Sequence, residues 1–171
     1  DSIIGHYVLG GVLRDSEGDL ALAMRHLGIT RELHDQDPRN PNLPSKFHQH
    51  LLFDIHLTAG ALELHDYQLQ ILDYHDSLFD PNLTAEHAWP LMKLGRYEKA
   101  REYAELALES SDEWQNSAGH NALCALESEA RQRLAAYDAC MAALEAERNS
   151  SSPDPTVDAL NAAMASLGIL R

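Results

Sequence analysis

LGRYEKAREYAELALES, residues 94–110, is the stretch that decides the fold. Its apolar and small residues recur three and four positions apart, and charged residues fill the positions between them, which is the spacing of an amphipathic helix. The preceding run AEHAWPLMKL, residues 85–94, is also rich in apolar residues, and Gly95 follows it directly. Because glycine commonly ends a helix, the sequence predicts a short helix, a tight turn and a longer helix. Together these form a helical hairpin.

The block NALCALESEARQRLAAYDACMAALE, residues 121–145, repeats this pattern. Ala100 and Ala107 correspond, 36 residues further on, to Ala136 and Ala143. Small side chains on a helix allow a neighbouring helix to approach closely. We therefore predict a second hairpin that packs like the first.

Weaker copies of the pattern lie nearer the two ends of the chain. YVLGGVLRDSEGDLALAMRHLGITREL, residues 7–33, has Gly18 in the turn and Ala23 in the small position. The pair Leu167-Gly168 repeats the Leu-Gly pair of the opening stretch 73 residues later. This second match predicts that a fifth hairpin begins near the end of the sequence.

The copy between these stretches departs furthest from the pattern. It reads HLLFDIHLTAGALELHDYQLQILDYHDSL, residues 50–78, with apolar residues on both sides of a turn. When Tyr67 is aligned with Tyr97, Gln70 takes the position that holds a small residue elsewhere. We interpret this stretch as a degenerate copy.

The sequence predicts nine helices and no strands. They cover residues 2–16, 19–35, 45–64, 67–79, 84–94, 97–110, 113–129, 132–148 and 156–167. The gaps between several of them are rich in proline, asparagine, aspartate and serine, which stop or start helices. Pro90 conflicts with its predicted helix because proline lacks an N–H. We therefore expect a kink there, or a helix that starts later.

Helical hairpins that recur at about 34 residues, with Leu-Gly turns and small residues in fixed positions, resemble the tetratricopeptide repeat. The best match covers residues 84–148. The residues that carry it are Ala88, Leu94, Gly95, Tyr97, Ala100, Ala104, Ala107 and Leu108. Over the whole chain, the predicted structural positions of the repeat are Gly18, Ala23, Gly95, Tyr97, Ala100, Ala107, Ala136, Ala143 and Gly168.

The resemblance implies an all-α fold, a right-handed superhelical array of antiparallel hairpins, or α-solenoid. Residues 1–171 would form a single repeat domain of about four hairpins plus the first helix of a fifth. Because the sequence opens on Asp1 and closes where a new hairpin would turn, we expect it to be a piece of a longer protein.

The resemblance also implies a concave face, lined by the first helix of each hairpin, that binds a protein or peptide. Val8 and Val12 would begin that face. The predicted partner-binding residues are Ile55, Ala59, Leu62, Trp89, Met92, Asn121, Ala125 and Ser128. The alternative is that these side chains simply pack one hairpin against the next.

Charge restricts the class of partner. The formal net charge is -14 and the pI is near 4.9, so the protein repels nucleic acid and anionic membrane surfaces. Neutral or basic proteins and peptides are favoured. The sequence has no apolar run of transmembrane length, and we predict a cytoplasmic location. Self-association through apolar residues near the end of the chain is a further hypothesis. These residues are Leu160, Met164 and Leu167.

The ten histidines are the main candidates for a metal site. His48, His50 and His56 lie on one predicted helix, but neither 48/50 nor 50/56 has the i,i+4 spacing that places two imidazoles on one face. HExxH, GxSxG and phosphate-binding glycine loops are absent from the sequence. We therefore predict no metal, no cofactor and no catalytic activity.

The function predicted from the sequence is a non-catalytic interaction scaffold. The first alternative is a regulatory or substrate-recruiting domain of a larger enzyme. The second is a histidine-rich, metal-binding helical protein.

Cys124 and Cys140 lie on either side of a predicted turn near residue 132. Helix axes are roughly 8–10 Å apart, whereas a disulfide requires Cα atoms within about 7 Å. We expect two reduced cysteines that pack as small side chains.

Overall fold

The computed structural model describes residues 2–16, 18–79, 83–129, 133–150 and 162–164, and for Arg133 the backbone alone. Every regular element in these ranges is a helix, so the prediction of an all-α fold is confirmed. The α-helices are α1 (Ile3–Asp15), α2 (Leu20–Gln36), α3 (Phe47–Ala61), α4 (His65–Leu78), α5 (Ala88–Lys93), α6 (Tyr97–Leu108), α7 (Glu113–Glu129) and α8 (Arg133–Asn149). Thr84–His87 forms one 3-10 turn. Of the predicted helix 156–167, only 162–164 are described, and they are helical.

The chain divides into two compact units, residues 1–82 and 83–171. In the first unit α1 packs on α2 and α3 packs on α4, with α2 against α3. In the second unit α5 packs on α6 and α7 on α8, with α6 against α7. The helices α1 to α8 therefore form two consecutive hairpins in each unit.

The core of the first unit is a cluster of large apolar side chains drawn from α2, α3 and α4. Its buried members are Leu27, Phe47, Leu51, Leu52, Ile55 and Ile71. Burying each such side chain contributes about 1.5–3 kcal/mol. Ile3 and Tyr7 of α1 pack against this cluster from one side. The first hairpin is thus attached to the second through a shared core.

The second helix of each hairpin buries its residues in one common pattern. Counted from the start of the helix, the fourth, eighth and eleventh residues are buried in α2, α4, α6 and α8 alike. These residues are Ala23, Leu27 and Thr30; Gln68, Leu72 and His75; Ala100, Ala104 and Ala107; and Ala136, Cys140 and Ala143. The positions share one helical face. The repeat seen in the sequence therefore corresponds to a repeated mode of packing.

The structure corrects the alignment of the degenerate copy. Gln70, expected in the small position of α4, is exposed, and Gln68 occupies that position instead. The helix begins at His65, two residues earlier than expected, which shifts the alignment with α6 by two. Gly60 on α3 makes room for the larger side chain, because a Cβ there would lie 2.8 Å from Gln68 Nε2.

Two glycines of the predicted repeat occupy turns that favour glycine. Gly95 has a φ of +71°, and the turn after α5 is closed by hydrogen bonds from Gly95 N to Met92 O and from Arg96 N to Leu91 O. This pair of bonds defines a Schellman motif. At Gly18 a Cβ would approach Leu13 O to 2.7 Å. Tyr97 is exposed, and Gly168 lies outside the described residues.

Pro90 stands at the third residue of α5, which begins at Ala88 rather than at residue 84. The first four N–H groups of a helix have no intrahelical acceptor, so a proline at this position costs no hydrogen bond. The expectation of a helix that starts later is confirmed.

The expectation of reduced cysteines is wrong, because Cys124 and Cys140 form a disulfide with a Cα–Cα distance of 4.4 Å. The expectation compared the distance between two helix axes with the distance between two Cα atoms, which is shorter when the Cα atoms face each other. Each helix has a Cα radius of about 2.3 Å, so facing Cα atoms on axes about 8–10 Å apart are separated by only about 3.5–5.5 Å. Both cysteines are fully buried, and Met164 packs against them, half-buried. Leu160 and Leu167 lie outside the described residues.

Candidate functional site

The predicted partner-binding residues fall into two groups. Ile55, Ala59, Met92 and Ala125 are buried, which favours the alternative that they pack one hairpin against another. The others are half-buried, and their contact with a partner stays a prediction. They are Leu62, Trp89, Asn121 and Ser128.

The first two positions of the predicted face differ from the rest. Val8 and Val12 of α1 are 55 % and 57 % exposed, and Ile4, one turn earlier, is 43 % exposed. Spaced at i, i+4 and i+8, the three side chains form a continuous stripe along one face of the helix. We call Ile4, Val8 and Val12 the apolar stripe.

The opposite face of α1 explains why the stripe points to solvent. Ile3 and Tyr7 pack on the core cluster of the first unit. Gly10 lies so close to α2 that a Cβ would be 2.9 Å from Leu27 Cγ. Because this face of α1 packs against the core cluster and α2, the apolar side chains on the other face are exposed to solvent.

A polar cluster fixes the far end of α1 to α3. Arg14 forms ion pairs with Asp15 and with Asp54 of α3. Burial, followed by a hydrogen bond to Asp54, raises the pKa of Tyr7 to about 12. The hydrogen bond from Arg14 holds the pKa of Asp15 below its usual value. The apolar stripe therefore lies on a helix that is held at both its middle and its end.

A second candidate site lies where α2 ends and α3 begins. His34 stands in the last turn of α2, and His48 is the second residue of α3. Their ring centroids are 4.2 Å apart. One ligand atom from each of His34, Asp35 and His48 falls within 4.8 Å of the other two. We call these three residues the histidine cluster.

The histidine cluster has features that a surface pair of histidines lacks. His34 Nδ1 and His48 Nε2 are both buried, and neither has a hydrogen-bond partner among the residues that the structure describes. Burial and the neighbouring His34 lower the pKa of His48, which favours the neutral imidazole. Phe79 and Tyr74 surround His48, with ring centroids 5.6 Å and 6.1 Å away.

The histidine cluster also forms one wall of a cavity of about 580 Å³. The rest of the wall comes mainly from the connection between α2 and α3, including Arg39 and Asn40, and from Tyr74 of α4. A group bound by the cluster would therefore have space on its cavity side. The sequence interpretation missed this arrangement because it considered pairs within one helix, whereas His34 and His48 come from two helices joined by residues 37–46.

None of the helices within the described ranges is long and apolar enough to cross a membrane. No family model matches the sequence, and comparisons with curated proteins and with solved structures give no match. The tetratricopeptide resemblance stays a prediction from the residue pattern.

Proposed function

We propose that this chain is a non-catalytic interaction module whose hairpins stack as a right-handed, tetratricopeptide-like array. In this proposal it binds a neutral or basic protein segment on α1. The observation that carries the proposal is the apolar stripe, in which Ile4, Val8 and Val12 stand exposed in one row.

The repeated packing supports the array. All four second helices bury the same three positions, and in α6 and α8 these positions hold only alanine and cysteine. Small side chains at such positions allow neighbouring helices to pack closely, and stacked hairpins of this kind form the extended binding surfaces of repeat proteins.

The exposed stripe supports binding at α1. Large apolar side chains that share one exposed face are typical of interaction surfaces. Their i, i+4, i+8 spacing suits the apolar face of a partner helix. The stripe is carried by a well-anchored helix, so binding requires little ordering of the protein itself.

Charge indicates the chemistry of the partner. Asp15 follows Val12 by three positions, and its side chain is 66 % exposed. The whole chain has a net charge of -14. A partner helix with an apolar face and flanking lysine or arginine would match both the stripe and the acidic surroundings.

The test is a selection of random peptides displayed on phage against the immobilised protein. We expect enrichment of sequences with apolar residues three or four positions apart and a net positive charge. These peptides should bind the double variant Val8→Glu, Val12→Glu at least about tenfold more weakly, a loss that corresponds to about 1.4 kcal/mol. The matched control is Leu106→Glu, because Leu106 is 54 % exposed on α6 and lies outside the stripe. Enriched peptides that bind all three proteins equally would overturn the proposal.

A second copy of the chain is the competing occupant of the stripe. Sedimentation equilibrium distinguishes binding of a different protein from binding of a second copy. A monomeric wild type at the concentration used for selection supports a heterologous partner. A wild-type dimer that becomes monomeric in the Val8→Glu, Val12→Glu variant would show instead that the stripe is a self-association surface.

A further inference from the structure

We propose that the histidine cluster binds a divalent transition metal of the zinc class through imidazole nitrogens of His34 and His48 and a carboxylate oxygen of Asp35. This inference is independent of the apolar stripe, which lies on a different helix. It concerns a site that the sequence interpretation did not predict.

The geometry is close to that of a three-ligand site. Zinc ligands lie about 2.0–2.2 Å from the metal, so two ligand atoms in a tetrahedral site are about 3.4 Å apart. His34 Nδ1 and Asp35 Oδ1 are already 3.7 Å apart. Because the side chain of Asp35 is 54 % exposed, it can rotate to complete the set without disturbing the core.

The two imidazoles each have a buried ring nitrogen that is available to a ligand. His34 is 6 % exposed, and within the described part of the chain neither its Nδ1 nor His48 Nε2 has a hydrogen-bond partner. Buried polar atoms without partners are uncommon in folded proteins and call for an explanation. A metal ion bound by the cluster would give such a nitrogen a partner.

Asp35 and the end of α2 favour a dication, whereas Arg31 and Arg39, which lines the same cavity, oppose one. Asp35 contributes a negative charge, and the last turn of α2 exposes backbone carbonyls with partial negative charge. Arg31 opposes a cation, but its Nε lies 3.9 Å from Asp35 Oδ2. Asp35 Oδ1 therefore remains directed at His34 while Oδ2 faces Arg31.

The donor set indicates the class of metal. Imidazole suits zinc, copper, nickel and iron, whereas calcium and magnesium require oxygen ligands. Three protein ligands leave at least one coordination position open, and the cavity beside the cluster offers the space for it. A metal here would also tie the end of α2 to the start of α3 and so restrain residues 37–46.

The experiment uses protein without an affinity tag, stripped with chelator and titrated with zinc by isothermal titration calorimetry. We expect one saturable site in wild type and at least about a 100-fold loss of affinity in His48→Ala, since losing even an outer-shell partner costs about 10–100-fold. The matched control is His50→Ala, because His50 lies on the same helix but is exposed. Calcium should give no binding.

A second histidine pair provides the main competing result. His6 Nδ1 and His26 Nδ1 are 2.8 Å apart, which makes them an alternative zinc site of two ligands. Binding that is lost in His26→Ala and retained in His48→Ala would overturn the proposal. So would the absence of saturable binding in wild type.

A spectroscopic measurement separates loss of ligation from loss of folding. Cobalt(II) substituted into wild type should give ligand-field absorption bands, and these should disappear in His48→Ala and persist in His50→Ala. Far-ultraviolet circular dichroism checks that both variants remain helical. If His48→Ala unfolds, Asp35→Asn replaces it, because Asp35 is exposed and contributes little to the core. Cobalt bands unchanged in a folded variant that lacks one of the three ligands would contradict the site.

Discussion

Glu63 and Gly95 occupy the same position in two equivalent turns. Each follows the first helix of its hairpin, and their φ angles are +59° and +71°. The turn at Glu63 carries hydrogen bonds from Glu63 N to Gly60 O and from Leu64 N to Ala59 O, the same pattern that closes the turn at Gly95. The second and third hairpins therefore share one turn geometry, although only one of them has a glycine there.

The first prediction concerns these two turns. A residue with a side chain costs about 1–2 kcal/mol in the left-handed region. Replacing it with glycine removes this cost, but part of the benefit is lost because glycine has more conformational freedom in the unfolded chain. Glu63→Gly should therefore stabilise the protein by about 0.5 kcal/mol, and Gly95→Ala should destabilise it by about 1 kcal/mol. Chemical denaturation measures both. Stabilisation by Glu63→Gly together with destabilisation by Gly95→Ala supports the shared geometry, whereas destabilisation by Glu63→Gly would contradict it.

The second prediction concerns the small position of α6. Ala100 is fully buried, so Ala100→Leu should overpack the helix interface and cost about 1–3 kcal/mol. Glu102→Leu places the same side chain at an exposed position of the same helix and should have little effect. Thermal unfolding followed by circular dichroism compares the two. Equal melting temperatures would show that Ala100 is not a close-packing position.

The third prediction concerns the disulfide between α7 and α8. The two cysteines are 16 positions apart in the sequence. A disulfide that closes a loop of about 15 residues contributes about 3 kcal/mol, because it restricts the unfolded chain. Reduction should therefore lower the stability of the wild type by about that amount and leave the double variant Cys124→Ala, Cys140→Ala unchanged. Thiol titration of the unreduced, denatured wild type should detect no free thiol. Two free thiols would contradict the bond.

Disulfides are rare in reducing compartments. The bond therefore does not favour the predicted cytoplasmic location, which stays a prediction.

The fourth prediction concerns pH. The pKa of Tyr7 is raised to about 12, first by burial and then by its hydrogen bond to Asp54. Between pH 10 and 12 the folded protein keeps this proton while the unfolded chain releases it, so the stabilisation from Tyr7 is present below pH 10 and is lost as the pH rises through 12. Ultraviolet titration of tyrosinate should show that Tyr7 releases its proton late. In Asp54→Asn this side chain should titrate at lower pH, and an unchanged titration would contradict the proposed contact.

Much of the fold is predictable from local pattern. The spacing of apolar and small residues locates the helices, and alanines such as Ala100 and Ala136 identify the packing face because a small residue in a regular place is a visible signal. The same pattern does not identify Gln68 as a packing residue. It is polar and large, and its burial depends on the space left by Gly60 and on the hydrogen-bonding distance of 3.1 Å between its Nε2 and His56 Nδ1.

The candidate sites depend on contacts between helices, which a pattern within one helix does not contain. Val8 and Val12 could be assigned to an exposed face because hairpin repeats imply one. Ile55 has the same apolar character, yet it belongs to the core, since the difference arises from what α2 and α4 place against it. His34 and His48 meet only because the connection between α2 and α3 brings two helix ends together.

The most direct test of the proposed interaction function is a nuclear magnetic resonance titration of the isotope-labelled protein with a selected basic, apolar peptide. The account predicts chemical-shift changes concentrated on the backbone amides of α1 around Val8 and Val12, and their absence in the Val8→Glu, Val12→Glu variant. Saturable binding whose shift changes leave α1 untouched would contradict it.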